Sequence, residues 1–175
     1  MAQSEGLPEV QVPGPFELLY RSDYPAVVGL VYGLTGSRWV AEDLAQEAFL
    51  RAHRDWGVVA DMTSPGGWVR SVAVNLARSR WRRLQAEATA RLRAGSHEMT
   101  PDAAPDAASD EFWREVRRLP IRQAQAVALH YVEDMPVSEI AGVLGIAEGT
   151  VKALLHQGRE RLRRQLEAKG LIDEI

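Results

Sequence analysis

A chain of 175 residues without cysteine has room for one ordinary domain or two small helical ones, and it excludes a disulfide framework and a thiolate metal site. Its formal net charge of −3 argues against a simple nucleic-acid coat, so the distribution of charge matters more than the sum. Trp68 to Arg93 is strongly basic, Lys152 to Arg164 is a second basic stretch, and Glu98 to Glu111 between them is acidic. No stretch is long and apolar enough to span a membrane, and Met1 to Gly14 lacks the apolar core of a secretory signal. That N-terminal segment reads as a loose, disordered tail, and the cytoplasm is the compartment such a chain suits.

Helical periodicity dominates, with no alternation of the strand type. Phe16 to Gly33 carries Phe16, Leu19, Tyr20, Val27, Leu30 and Val31 on one helical face, interrupted by Pro25. Gly33 to Ser37 reads as a turn, with Ser37 as an N-cap. Trp39 to Trp56 predicts the next helix, with Val40, Leu44, Phe49 and Ala52 inward. Asp61 to Gly67 reads as a loop, because Ser64-Pro65-Gly66-Gly67 contains strong breakers. From Trp68 a long helix is predicted toward Arg93. Its inner stripe is Trp68, Val69, Val72, Ala73, Leu76 and Ala77; its outer stripe is Ser71, Asn75, Arg78, Ser79 and Arg82. Gly95 to Ala108 has almost no large apolar residue and predicts a linker that cannot offset its own ordering entropy. A second helical unit follows to about Leu171. The predicted fold is therefore all-α: two small helical domains, 15–93 and 110–175, joined by a flexible acidic linker at 94–109.

Pro136-Val-Ser-Glu-Ile-Ala-Gly-Val-Leu-Gly-Ile-Ala-Glu-Gly-Thr-Val-Lys152 predicts a helix-turn-helix. Pro136 suits a first helical turn, where a missing N–H is harmless. Ala141 is small where two helices approach. Gly145 suits the positive φ of a helix-ending turn. Ile140, Leu144, Ile146, Val151 and Leu155 would fill the angle between the helices. The second helix, about Ala147 to Gln165, could then enter a major groove. Arg159, Arg161, Arg163 and Arg164 read equally as a solvated face or as phosphate contacts.

Three segments in order carry a resemblance. Ala41-Glu-Asp-Leu-Ala-Gln-Glu-Ala-Phe-Leu-Arg51 resembles the polymerase-binding segment of sigma-70-family proteins. Trp68-Val-Arg-Ser-Val-Ala-Val-Asn-Leu-Ala-Arg78, ending in Arg82-Arg83, resembles their −10-element helix. Leu119-Pro120, the Gln123 to Tyr131 stretch and the helix-turn-helix resemble their −35-element domain. Order and spacing match the extracytoplasmic-function (ECF) sigma factors over about Phe16 to Arg83 and Phe112 to Leu166.

The resemblance implies a sigma factor that binds core RNA polymerase and directs promoter-specific initiation by recognising −10 and −35 elements and opening the −10 region. Asp43, Gln46, Glu47, Phe49 and Leu50 would dock the coiled coil of the polymerase beta-prime subunit, with Phe49 reading either as part of that surface or as core. The second unit would meet the beta flap. Asn75 and the Met62 to Gly67 loop would hold one extruded base of the non-template strand, while Ser71, Arg78, Arg82 and Arg83 hold the adjacent backbone. Glu148, Thr150, Lys152, Ala153, His156, Gln157 and Arg159 would face the −35 element. The acidic linker fits either a tether or a segment lying in a polymerase channel. Promoter DNA and core polymerase are the implied partners, an anti-sigma factor is left open, and no membrane, metal or cofactor is implied.

The chain departs from relatives at Ser79, where an acid is frequent, and at Ala124, Leu154 and Gln157, where arginine is frequent, so a promoter sequence does not transfer. A helix-turn-helix regulator that never initiates transcription would explain Pro136 to Arg164 but leave Ala41 to Arg51 and Trp68 to Arg83 without a purpose. An enzyme finds little support: His53, His97, His130 and His156 are scattered, no HExxH or P-loop is present, and Asp43 with Glu47 lacks a partner histidine.

Overall fold

In a computed structural model of the chain, residues 13–94 and 111–170 are described. The expectations for the N-terminal tail up to residue 12, and for the linker at 95–110, fall outside these residues. Every described element is a helix: α1 Pro15–Thr35, α2 Arg38–Arg54, α3 Trp56–Val59, α4 Pro65–Ala94, α5 Glu111–Val116, α6 Ile121–Tyr131, α7 Val137–Leu144 and α8 Glu148–Ala168.

The punctuation follows local chemistry, and two expected turns are corrected by it. α1 runs through both Pro25 and Gly33 and stops only at Gly36, whose φ of 74° is the left-handed conformation a side chain resists. Gly33 serves packing instead: an added Cβ would lie 2.3 Å from the ring of Trp113 on α5. Ser37 caps α2 as expected, its hydroxyl accepting from the Val40 N–H at 3.4 Å. Ser64-Pro65-Gly66-Gly67 begins α4 rather than breaking the chain. The Ser64 hydroxyl accepts from the Gly67 N–H at 3.1 Å, and Pro65 occupies a first-turn position that needs no N–H.

One core lies among α1, α2 and α4, where Val27, Val31, Val40, Ala41, Ala45, Ala48, Phe49, Ala52, Val69 and Ala73 are buried. The inner stripes expected for α2 and α4 thus hold. The second core surrounds α6, which is buried from Gln123 to Leu129. It takes Ile140, Val143 and Leu144 from α7 and Val151, Leu155 and Leu162 from α8. Leu30, Leu34 and Val74 of the first unit belong to this second cluster. The two units are therefore packed on one another, with α1 against α5 and α6, and α4 against α7.

Candidate nucleic-acid interface

The helix-turn-helix takes the expected form, except that Pro136 stands before the first helical turn and not within it. α7 starts one residue after Pro136, which stands in extended backbone at the N-cap. Gly145 closes α7 with a φ of 62°, and the Ile146 N–H returns to the Ala141 carbonyl at 3.1 Å. Val151, Leu155 and Leu162 turn α8 onto the core, which leaves Glu148, Thr150, Lys152, Ala153, His156, Gln157 and Arg159 exposed on its other side. The face expected to read DNA is thus free. Gln157 is held from beneath: its Oε1 accepts from Nε2 of Gln123 at 3.0 Å, and Gln123 is only 5% exposed. The four arginines of the basic cluster, Arg159, Arg161, Arg163 and Arg164, are all exposed, and Arg163 is engaged by Glu160 and Glu167 of its own helix.

The outer stripe of α4 is placed differently. Arg82 and Arg83 are exposed, Arg83 lying 3.8 Å from Glu87. Nearer the N-terminus of α4, the second unit covers the stripe. Ser71 donates its hydroxyl proton to the Val143 carbonyl at 2.7 Å, and Asn75 and Arg78 are half-buried. Nε of Arg78 is buried and meets no acceptor among the described residues. The Met62 to Gly67 loop and Ser71 do come together: Thr63, Ser64, Gly67, Trp68 and Ser71 wall a cavity of about 350 Å³. Its opposite wall is Met135, Glu139, Gly142 and Val143 of the second unit, and Asn75 lies one turn beyond it. Arg122 on α6 approaches the same helix. Its guanidinium is held below its ordinary pKa by burial first, and then by the charges of Arg78 and Arg82.

On α2, Asp43 and Gln46 are exposed and Leu50 is 65% exposed. Glu47 is half-buried and held by Arg51 at 2.7 Å. Of the two readings open for Phe49, the structure takes the core one: it is 2% exposed, with its ring 5.0 Å from that of Tyr20 and 5.7 Å from that of Tyr24. It supports the surface from below. Beside it, Phe16, Tyr20, Gln46, Phe49, Leu50 and His53 line a shallow groove of about 360 Å³.

Several residues escaped the periodic reading. Arg70, counted only as one basic residue among many, donates from Nε to Glu133 at 2.9 Å and from Nη1 to Asp23 at 2.8 Å. Gln125 is fully buried and donates to the Val74 carbonyl at 2.7 Å. The available signal was Val74 itself, an apolar residue among Ser71, Asn75 and Arg78 on the supposedly solvated face.

Known proteins divide the chain in the same way. Sigma-70 region 2 matches residues 19–87, and sigma-70 region 4 matches residues 109–162. The chain belongs to the sigma-70 family. It is similar to the ECF RNA polymerase sigma factor SigW of Bacillus subtilis, at 32% identity over 78% of this chain and 81% of that one. Against the ECF RNA polymerase sigma factor SigM of Mycobacterium tuberculosis it is 30% identical, over 86% of this chain and 76% of the other. The RNA polymerase sigma-E factor of Streptomyces antibioticus is 29% identical over 98% of this chain and 91% of its own. These relatives place the sigma factor in the ECF group. Its fold matches that of the sigma factor RpoE in a co-crystal structure with the anti-sigma factor NepR from Bartonella quintana. The TM-score is 0.71 at 20% identity, covering 91% of this chain and 98% of that one. Sigma factors are non-catalytic initiation factors that act with RNA polymerase at promoters, region 2 at the −10 element and region 4 at the −35 element. Among the described residues no helix is long and apolar enough to cross a membrane, and no cluster of histidine and carboxylate groups could hold a metal ion.

Proposed function

We propose that this sigma factor divides promoter recognition between two helices and polymerase binding among the elements beneath them. α8 reads the −35 element through Lys152, Ala153, His156 and Gln157, flanked by Glu148, Thr150 and Arg159. α4 takes the non-template strand of the −10 element, with Asn75 and the 62–67 loop at the extruded base and Ser71, Arg78, Arg82 and Arg83 along the backbone. α2 docks core polymerase through Asp43, Gln46, Glu47 and Leu50, with Phe49 as their support. The region 2 unit spans 15–93 and the region 4 unit 110–175. The factor works in the cytoplasm, uses no cofactor and catalyses no reaction. An anti-sigma factor is a further candidate partner.

The observation that supports this most is the sorting of α8. Val151, Leu155 and Leu162 are buried, while every residue assigned to the groove is exposed. Run-off transcription with core polymerase on a pool of genomic promoters tests the proposal. Discrete transcripts that require this chain are expected, and Lys152→Ala should reduce them together. If the pool yields the same transcripts with and without the chain, the assignment falls.

A further inference from the structure

We infer that Gln123, a buried residue of α6, is the positioning residue that sets which base Gln157 accepts at the −35 element. This role deepens the reading of α8 given above and rests on it, because it concerns how one of the groove residues is held.

The arrangement begins with a close crossing of helices. α8 passes α6 at Gly158, where an added Cβ would lie 2.8 Å from Cγ2 of Val127 and 3.6 Å from Cβ of Gln123. Gly158 is buried, and Gln157 beside it is exposed. The crossing thus brings an exposed amide within reach of α6. Nε2 of Gln123 donates to Oε1 of Gln157 at 3.0 Å, and Gln123 itself is 5% exposed. Oε1 of Gln123 is buried and meets no donor among the described residues. Gln125, two residues further along α6, directs its amide to a main-chain carbonyl, that of Val74. Gln123 is bonded instead to a side chain on the face that reads DNA.

Stability gives little reason for that bond. Gln157 is exposed, so water would serve its carbonyl about as well. Gln123 meanwhile keeps a carbonyl oxygen away from water without a donor, a cost that an apolar side chain would not carry. Orientation gives a better reason. A glutamine amide accepts at one end and donates at the other, and turning it over exchanges the two. In the held orientation Oε1 is bonded to α6 and keeps its second lone pair, while Nε2 remains a donor. That combination matches adenine, whose N6 donates and whose N7 accepts in the major groove. The reversed amide would set donor against donor at N6. Holding the side chain before DNA arrives also moves its loss of freedom from binding to folding. Base choice therefore depends on a residue too deeply buried to touch the DNA.

The test is transcription by the full chain with core polymerase. Its templates are a promoter recovered by run-off transcription and randomised over the −35 element. Thermal unfolding of each protein is measured in parallel. The parent is compared with Gln157→Ala, Gln123→Leu, Gln123→Met and the double variant Gln123→Leu with Gln157→Ala. A bidentate contact should appear in the parent as a preference of about tenfold at one position, and Gln157→Ala should abolish it. Gln123→Leu and Gln123→Met remove the buried donor and keep an apolar chain of similar size. Each should reduce the preference to about threefold at that position alone, because a loose amide keeps only part of the contact. Their unfolding temperatures should equal or exceed the parent's. In the Gln157→Ala background, Gln123→Leu should change nothing further, since its effect passes through the missing amide. Gln123 variants that select as sharply as the parent would overturn the positioning role and leave Gln157 as a base reader. A loss spread over the whole −35 element, or one that persists without the Gln157 amide, would overturn it as well, because the substitution then acts through the fold. If Gln157→Ala keeps the parent's preference, the reading of Gln157 itself fails, and the role of Gln123 goes with it.

Discussion

α8 carries two glycines that differ only in what surrounds them, which makes a controlled perturbation. Gly149, in the first turn, has nothing within 4 Å of the position a Cβ would take. Gly158, in the middle, would place its Cβ 2.8 Å from Cγ2 of Val127 and 3.6 Å from Cβ of Gln123. Replacing glycine by alanine inside a helix gains up to about 1 kcal/mol from backbone entropy. At Gly149 nothing opposes that gain. At Gly158 the methyl group must displace Val127, which is fully buried on α6. Val127 is β-branched and stiff at χ1, so it yields by moving backbone rather than by turning. Overpacking of this kind costs about 1–3 kcal/mol. Gly149→Ala is therefore expected to stabilise by up to about 1 kcal/mol, and Gly158→Ala to destabilise by about 1 kcal/mol net. Urea unfolding followed by far-ultraviolet circular dichroism reads both. With an m value of about 2 kcal/mol per molar, the midpoints should separate by roughly 1 M in opposite directions from the parent. If both alanines raise the midpoint equally, α8 does not pass α6 as closely as described, and the seat of Gln157 on Gln123 is lost with it.

At the −35 element, Gln157→Arg should move the preferred base at one position from adenine toward guanine, by about 1–3 kcal/mol of discrimination, in selection from a randomised library; Gln123→Leu, which releases Gln157, should broaden the preference at that same position. Asp43→Ala combined with Gln46→Ala should weaken binding to core polymerase by about 1.5–3 kcal/mol in a pull-down titration without loss of helicity. Phe49→Ala should instead destabilise the fold by about 3–5 kcal/mol, read by thermal unfolding. Burial pushes the Glu115 carboxyl up, but hydrogen bonds from Lys169 and Arg118 outweigh it and hold the group below its ordinary value of 4.5. A depressed carboxyl contributes stability above its unfolded pKa and loses it as pH falls through the folded one. Stability should therefore drop below about pH 4.5, and Glu115→Gln should flatten that part of the profile in urea titrations at stepped pH; an unchanged slope would remove Glu115 from the account.

What the sequence made legible was what periodicity and turn chemistry encode. Gly145 and the spacing of Ile140, Leu144, Val151 and Leu155 suffice for the helix-turn-helix, because both constraints are local. The inner stripe of α4 was legible for the same reason. Ser64-Pro65-Gly66-Gly67 was misread because breakers and helix starters share residue types. Only the third dimension shows that a Cβ on Gly66 would meet the Asp23 carboxylate at 2.3 Å. Gly33 was taken for a turn because the bulk it avoids, Trp113, lies far along the chain. The exposed face of α8 was legible, because no other element competes for it. The outer stripe of α4 was correctly grouped on one face, but its exposure to solvent was assumed.

That assumption failed for a physical reason that bears on function. On the function proposed above this face takes phosphates and so cannot be made apolar, and region 4 can cover it only through polar groups. The contacts on the outer stripe of α4 are accordingly hydrogen bonds and ion pairs, from Ser71, Arg70 and the Val74 carbonyl, with Val74 itself as a buried apolar residue among them. At the other end of the seam, where no nucleic acid is assigned, Leu30 and Leu34 of α1 join the core of region 4 and Trp113 lies on Gly33. Apolar burial holds regardless of what is nearby, whereas polar groups can exchange one partner for another at small net change in free energy. On that reading the α4 end gives up region 4 for a nucleic-acid strand group by group, each carbonyl passing to water and each guanidinium to phosphate. Separation of the α1 end has no such exchange available and must expose apolar surface, so it needs a partner that covers that surface in turn.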